Sequence, residues 1–385
     1  MATIFKTLST EDIVSSRTLL YEQIPITGTI VSGTYSSSAG GEQNILNYSH
    51  GMFQTVFDYP YLSSSANNLF DVTVGAGVGS LVHRNIATAS FGTKKLNIYN
   101  QMAKVLYGYD LTGAINQFDK DGSSETSNDK TLNGFFMSFS RLLVKDEIKK
   151  GSFRLTLGLG GHASGSNLTG TISDVSGAFA TPSYKTNSPA GEYGILFLSE
   201  SAAGSRASYN SSQLNPAVGL IFYQAGIIFL NSDLFAAYSS VNNPTSSLSS
   251  NTNGQLTTAT SFTSSDNITY TNVQSLLLTG SIRQCSEALR RRMLNVQFQN
   301  TTELNSTIYF LRINNNEFNY SANPTYLSAS EIRVKGGNPL NAPVSYITTA
   351  GLYSADNELL AVAKLSQPLK KTEEQSMILR VRLDY

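Results

Sequence analysis

The feature that most constrains this chain is its repeated alternation of short apolar or β-branched runs with clusters of Gly, Ser, Thr and Asn. The runs Gly194 to Leu198, Ala217 to Tyr223 and Gly226 to Leu230 have strand length and are bounded by turn residues, so strands are expected there. Phe153, Leu155, Leu157 and Leu159 alternate with other residues, the pattern of a half-buried strand. Later runs at Val296 to Phe298, Ser306 to Ile313, Ser345 to Leu352, Leu359 to Leu365 and Ser376 to Leu383 continue the pattern. The expected fold is mainly β, with β-sandwich-type domains, one or two short helices and long loops rich in Ser, Thr and Asn.

At 385 residues the chain is longer than one core ordinarily organises. Residues 1–35 read as an N-terminal arm, with a short helix start at Ser9-Thr10-Glu11-Asp12 and an extended stretch from Gln23 to Val31. Residues 36–275 read as a β-rich central region. Within it, Thr93 precedes Leu96, Tyr99, Ala103 and Leu106 at helical spacing and Gly108 follows, which predicts a helix over 94–107. Residues 239–272 are almost entirely polar and predict a long surface excursion. Residues 276–385 read as a C-terminal β-sandwich domain, entered through a helical or transitional stretch from Gln274 to Leu294.

Composition narrows the function classes. Lys plus Arg and Asp plus Glu each total 27, and charged residues make up 14% of the chain, against roughly 25% in an ordinary soluble domain. A polyanion is gripped by an excess of cations on one face, so no specific nucleic-acid partner is expected. Cys285 is the sole cysteine, which excludes an intrachain disulfide and a zinc site built on several cysteines. The longest apolar stretch, Ala217 to Leu230, is interrupted by Gly219, Gln224 and Gly226 and reads as two strands rather than a membrane span. Met1 to Val14 mixes Lys6, Glu11 and Asp12 with isolated apolar residues, unlike a secretory signal.

Residues that could carry chemistry are scattered. His50, His83 and His162 have no second His or Cys at ligand spacing. The glycines of Asp71 to Gly79 lack the G-x-G-x-x-G spacing of a dinucleotide loop, and no cofactor is expected. Asp119 and Asp121, with Glu125 and Asp129, form a weak calcium-loop candidate that departs from the EF-hand pattern. The pairs Asp146/Glu147 and Glu373/Glu374 sit beside lysines, as surface charge does, rather than as two carboxylates flanking a sugar bond. Cys285 has no nearby His to act as its base. Arg290, Arg291 and Arg292 form the strongest basic cluster and, in a neutral chain, read as a protein-contact candidate. No enzymatic activity is expected from this set.

The stretch Ser345 to Leu365 reads as strand, Asp356-Asn357 turn, strand. It resembles the I-T-x-x-G-L-Y-x-x-x-N-E-L-L-A-V-A-K pattern found toward the ends of structural proteins from large tailed phages. Pro368-Leu369 and Arg380 to Tyr385 extend that resemblance. Tyr309 to Arg312, Asn316 to Pro324 and Leu143 to Phe153 are also similar to segments of such virion proteins, and the whole covers about a quarter of the chain. The resemblance implies a virion component assembled in the host cytoplasm, tail- or baseplate-associated, whose partners are other virion structural proteins and copies of itself. Tyr346 and Tyr353 are the interface candidates within this stretch. Neck, collar or capsid-associated roles are alternatives, as is a carbohydrate-binding receptor module on a fibre that would use the 20 tyrosines to hold a host glycan.

Overall fold

The computed structural model describes residues 5–31, 42–119, 130–158, 169–175, 184–201, 217–235, 256–257, 269–270, 273–320, 324–329, 331–332 and 343–385. It divides into a central unit, Tyr21–Thr302, and a terminal unit formed by Met1–Leu20 with Glu303–Tyr385. In chain order the first elements are β1 (Ile13–Thr27), α1 (Gly28–Val31), β2 (Ile45–Asn47), β3 (Gln54–Phe57), β4 (Asn68–Ala76), α2 (Leu81–Arg84) and α3 (Gly92–Leu106). Next come β5 (Asn133–Phe139), α4 (Arg141–Val144), β6 (Glu147–Ile148), β7 (Arg154–Gly158), β8 (Thr169–Ser173), β9 (Tyr184–Lys185), β10 (Tyr193–Ser201), β11 (Ala217–Phe222) and β12 (Ile227–Asn231). The remainder are β13 (Leu256–Thr257), β14 (Thr269–Tyr270), α5 (Val273–Thr279), α6 (Ile282–Arg290), β15 (Met293–Ile313), β16 (Leu327–Ser328), β17 (Glu331–Ile332), β18 (Ser345–Tyr353), β19 (Leu359–Lys371) and β20 (Met377–Asp384). The fold is mainly β and built on a large antiparallel sheet, as the short-run pattern predicts.

In the central unit the strand order is β15-β7-β8-β10-β11-β12-β5-β4-β3-β2, with β6 also on β15 and β9 on β10. The middle strands are near-continuous apolar runs because both of their faces are covered. Phe135, Phe136 and Met137 of β5 and Leu220, Ile221 and Phe222 of β11 are all buried. β5 joins its two neighbours through the pairs Phe136 with Phe229 and Thr73 with Phe136. Phe118, fully buried, stacks on Phe229 at 4.4 Å and meets Phe136, Tyr99 and Tyr107 within 5.7 Å. Several aromatic pairs of this kind each add stability beyond their buried area.

Helix α3 lies on β4, and its position explains two glycines of the Asp71 to Gly79 run. A Cβ at Gly75 would stand 3.0 Å from the Tyr99 backbone, and one at Gly77 would stand 2.7 Å from its ring. These glycines admit a tyrosine. Tyr99 uses its hydroxyl as well, donating to the Thr131 carbonyl at 2.6 Å and accepting from the Phe118 amide at 3.1 Å. One turn earlier, the buried Lys95 ammonium donates to the carbonyls of Leu277 and Gly280 at 2.6 Å each, closing the C-terminal end of α5.

The terminal unit holds β20 antiparallel to β15, from Ser306 opposite Asp384 to Ile313 opposite Met377. β18 and β19 form a separate two-stranded sheet. The Asp-Asn turn joining them holds Asn357 at φ 64°, a left-handed conformation that Asn tolerates. Ser354 completes this turn, its Oγ accepting from the Asp356 and Glu358 amides at 3.3 and 3.2 Å.

Organisation differs from the sequence reading in two places. Residues 276–302 belong with the central unit rather than with a C-terminal domain, and residues 1–20 group with the C-terminal residues rather than standing as part of an arm. The first difference follows from α5 and α6, whose apolar faces, Leu276, Leu277, Ile282 and Leu289, are buried in the central core. The two runs read as separate strands at 296–298 and 306–313 are one strand, β15. Apart from its two-residue strands β13 and β14, the expected excursion at 239–272 lies outside the described residues.

Replacing Lys95 with Met should cost about 2–4 kcal/mol, because two buried helix-end carbonyls lose their donor. Urea unfolding of the two proteins measures this as a lowered midpoint.

Candidate interaction surface

Arg290, Arg291 and Arg292 do not form an exposed contact patch: all three are buried. This corrects the sequence reading, and the cause is the position of α6. Ser281 starts that helix in a capping box, its Oγ accepting from the Gln284 amide at 3.2 Å while Gln284 Oε1 accepts from the Ser281 amide at 2.8 Å. The helix packs on β3 and β4, so its last turn points inward. Arg290 donates to Gln54 Oε1 at 3.0 Å and pairs with Glu42 at 2.5 Å. Arg291 pairs with Glu42 at 3.0 Å and with Glu287, one turn back on α6, at 2.5 Å. Arg292 donates to the Gly158 carbonyl at 3.0 Å, and burial lowers its pKa to about 10. A charge removed from water demands such partners, and these three tie the helix end to β3, β7 and the Glu42 segment.

Of the calcium-loop candidates, Asp119 is buried and paired with Lys130 at 2.6 Å, whereas Asp121, Glu125 and Asp129 lie outside the described residues. Among the described residues no group of three His, Cys, Asp or Glu is placed to hold a metal ion. His50 stacks on Tyr48 at 5.1 Å and accepts from the Met52 amide, and His83 accepts from the Gly79 amide at 3.3 Å. His162 lies outside the described residues. Cys285 is fully buried, and burial pushes its thiol up to about 11, with the Lys95 charge opposing. Such a thiol is unreactive at neutral pH. No helix among the described residues is long and apolar enough to cross a membrane.

A polar depression of about 290 Å³ in the central unit is lined by Lys149, Lys150, Arg154, Gln23, Gln297 and Gln299, among others. Its lysines are already engaged: Lys149 sits 3.9 Å from the centre of the Tyr21 ring, and Lys150 pairs with Glu192. Ser152, the hydroxyl in its wall, donates to the Lys149 carbonyl at 2.6 Å and accepts from the Gln299 amide at 3.0 Å. Beside it, the Gly151 amide and the Tyr223 hydroxyl donate to Oδ2 of the buried Asp174, at 2.5 and 3.1 Å. Burial raises the Asp174 carboxyl above its ordinary value, while these donors pull the other way.

The terminal unit presents a different surface. Among its described residues Ile313 is the single large apolar side chain that is buried, while seventeen are exposed. Tyr346 and Tyr353, the two tyrosines singled out from sequence, are both exposed on β18. Around Tyr353 are Leu359, opposite it on β19, and Phe5, whose ring centre is 4.6 Å away. Leu360 is 68% exposed, Val362 59% and Ile378 63%. The base of the hairpin is fixed: buried Lys371 donates to the Asn315 and Thr372 carbonyls and to Asn319 Oδ1 at 2.7 to 3.0 Å, and Ser345 Oγ donates to the Phe318 carbonyl at 2.8 Å. The hairpin is thus held at its base while large apolar side chains along it stay exposed.

No family model, curated protein or solved structure matches the chain.

Arg290→Ala should destabilise the central unit by about 3–5 kcal/mol, since Glu42 and Gln54 would lose a buried cationic partner. Chemical denaturation checks the value. Asp174 supplies a pH signature. Its raised folded pKa means that the folded chain holds this proton more tightly than the unfolded chain, so the group's contribution to stability is full at low pH. That contribution is lost as pH rises from the ordinary carboxylate value, about 3.9, through the raised one. Asn at 174 can still accept from both donors, so the stability difference between wild type and Asp174→Asn should fall with rising pH across that window in urea titrations.

Proposed function

We propose that this chain is a structural subunit of a tailed-phage virion, tail- or baseplate-associated, that acts through protein–protein assembly interfaces and catalyses no reaction. The observation that carries this reading is the terminal unit, which leaves seventeen of its large apolar side chains exposed when the chain stands alone. Burying one such side chain contributes about 1.5–3 kcal/mol, so a unit that exposes seventeen of them gains its stability from a neighbour. Large permanent interfaces have this apolar character, whereas transient ones resemble ordinary protein surface.

The exposed stretch and the phage-like stretch coincide. Residues 345–385, which resemble the closing segments of virion proteins, form β18, β19 and β20 and contribute eight of the seventeen exposed side chains. Low charge supports the same reading, because a subunit that docks through apolar centres and hydrogen-bonded rims needs little charge for solubility or steering.

The test is the particle. Image reconstruction of intact virions that encode this chain should locate it in the tail or baseplate region, with residues 345–385 in subunit interfaces. Finding the chain outside the particle, or a purified chain that hydrolyses or binds host polysaccharide, would overturn the reading.

A further inference from the structure

From the geometry of the terminal unit we infer that the outer edge of β18 is a self-association site, and that its occupant is the same strand of a second copy, paired antiparallel about a twofold axis. The inference rests on the reading of the chain as an assembly subunit and deepens it by naming the surface and the partner.

The two edges of the β18–β19 sheet differ. A strand edge exposes unpaired amides and carbonyls, and monomeric proteins blunt such edges with lysine, proline or bulges. β19 carries all three: the exposed Lys364 and Lys370, Pro368, and a register break between Lys364 and Leu369 opposite Thr349 and Ile347. β18 carries neither charge nor proline along its nine residues, Ser345 to Tyr353. Its only strand partner among the described residues is β19. Among the described residues, one edge of this hairpin is guarded and the other is left open.

Charge points to a copy of the same chain. The terminal unit contains ten basic and ten acidic side chains, so two copies meet without net repulsion, and an uncharged β18 places no like charges opposite each other when paired with itself. A foreign partner is ordinarily selected by complementary charge, which this strand does not offer. On β18 itself Tyr346 and Tyr353 are 47% and 45% exposed, so the strand offers apolar side chains as well as an open backbone edge to an identical strand. Twofold pairing also satisfies the open edge with an identical surface, the commonest closed symmetry of homo-oligomers.

The test uses the purified full chain. Sedimentation and native mass spectrometry should show self-association at about 100 µM or below. Thr348→Lys combined with Thr349→Lys, which sets four like charges across the shared edge, should weaken it at least tenfold with unchanged circular dichroism. Cys285 is buried, so single cysteines introduced in turn from Tyr346 to Ala350 are the reactive thiols, and at least one should give a disulfide-linked dimer on mild oxidation. This second arm decides the matter should the lysine variant misfold. A wild-type chain that stays monomeric, or a dimer that the lysines leave intact and no β18 cysteine cross-links, overturns the inference. Either result can occur with the chain still found in the particle, so the failure of this inference is distinct from failure of the virion reading.

Discussion

The uneven distribution of apolar burial governs this protein. Every side chain of the core cluster, from Ile26 to Phe298, belongs to the central unit. That unit can organise itself around Phe118 and the strands β4, β5, β11 and β12 because its apolar residues outnumber what its surface needs. The terminal unit is made of equally regular strands, yet their side chains alternate between exposed and half-buried, and few are fully buried. A sheet is stable when at least one face is covered, and among the described residues the cover over these strands is partial.

The central unit also buries charge. Arg290, Arg291, Glu42 and Glu287 lie within a few ångströms of one another, and Lys95 sits under the end of α5. Buried ion pairs are expensive to assemble, but once assembled they tolerate no partial substitution, because each removal leaves a charge without its counterion. They therefore fix where α5 and α6 sit more sharply than apolar packing alone. The same helices carry residues 276–302 into the central unit and displace the domain boundary to 302, some way past the point at which composition changes.

Much of the local structure was legible from residues 92 to 106, 135 to 139, 217 to 231 and 345 to 365, where periodicity and turn residues act over a few positions. α3 is one residue shorter at its C-terminus and two longer at its N-terminus than its spacing predicts. The hairpin turn at Asp356-Asn357 appears where the sequence places it. The arginine cluster was misread because its partners are remote: Glu42 is 248 positions from Arg290 and Gln54 is 236. No local pattern distinguishes a solvated arginine run from one whose counterions arrive from another part of the fold. The glycines of Asp71 to Gly79 were similarly opaque, since the tyrosine they accommodate lies on a later helix.

By itself, the sequence determined the mainly-β class, the position of most strands and the long helix, and the low-charge, single-cysteine chemistry, because each depends on composition or on neighbours a few residues apart. Only the tertiary structure decided which strands have their apolar faces covered. Burial depends on the distant segments that fold over a strand, and alternation along the strand is the same whether that cover is present or absent. β11 and β18 are both rich in apolar residues, and they differ in that one lies inside a core and the other is exposed along most of its length.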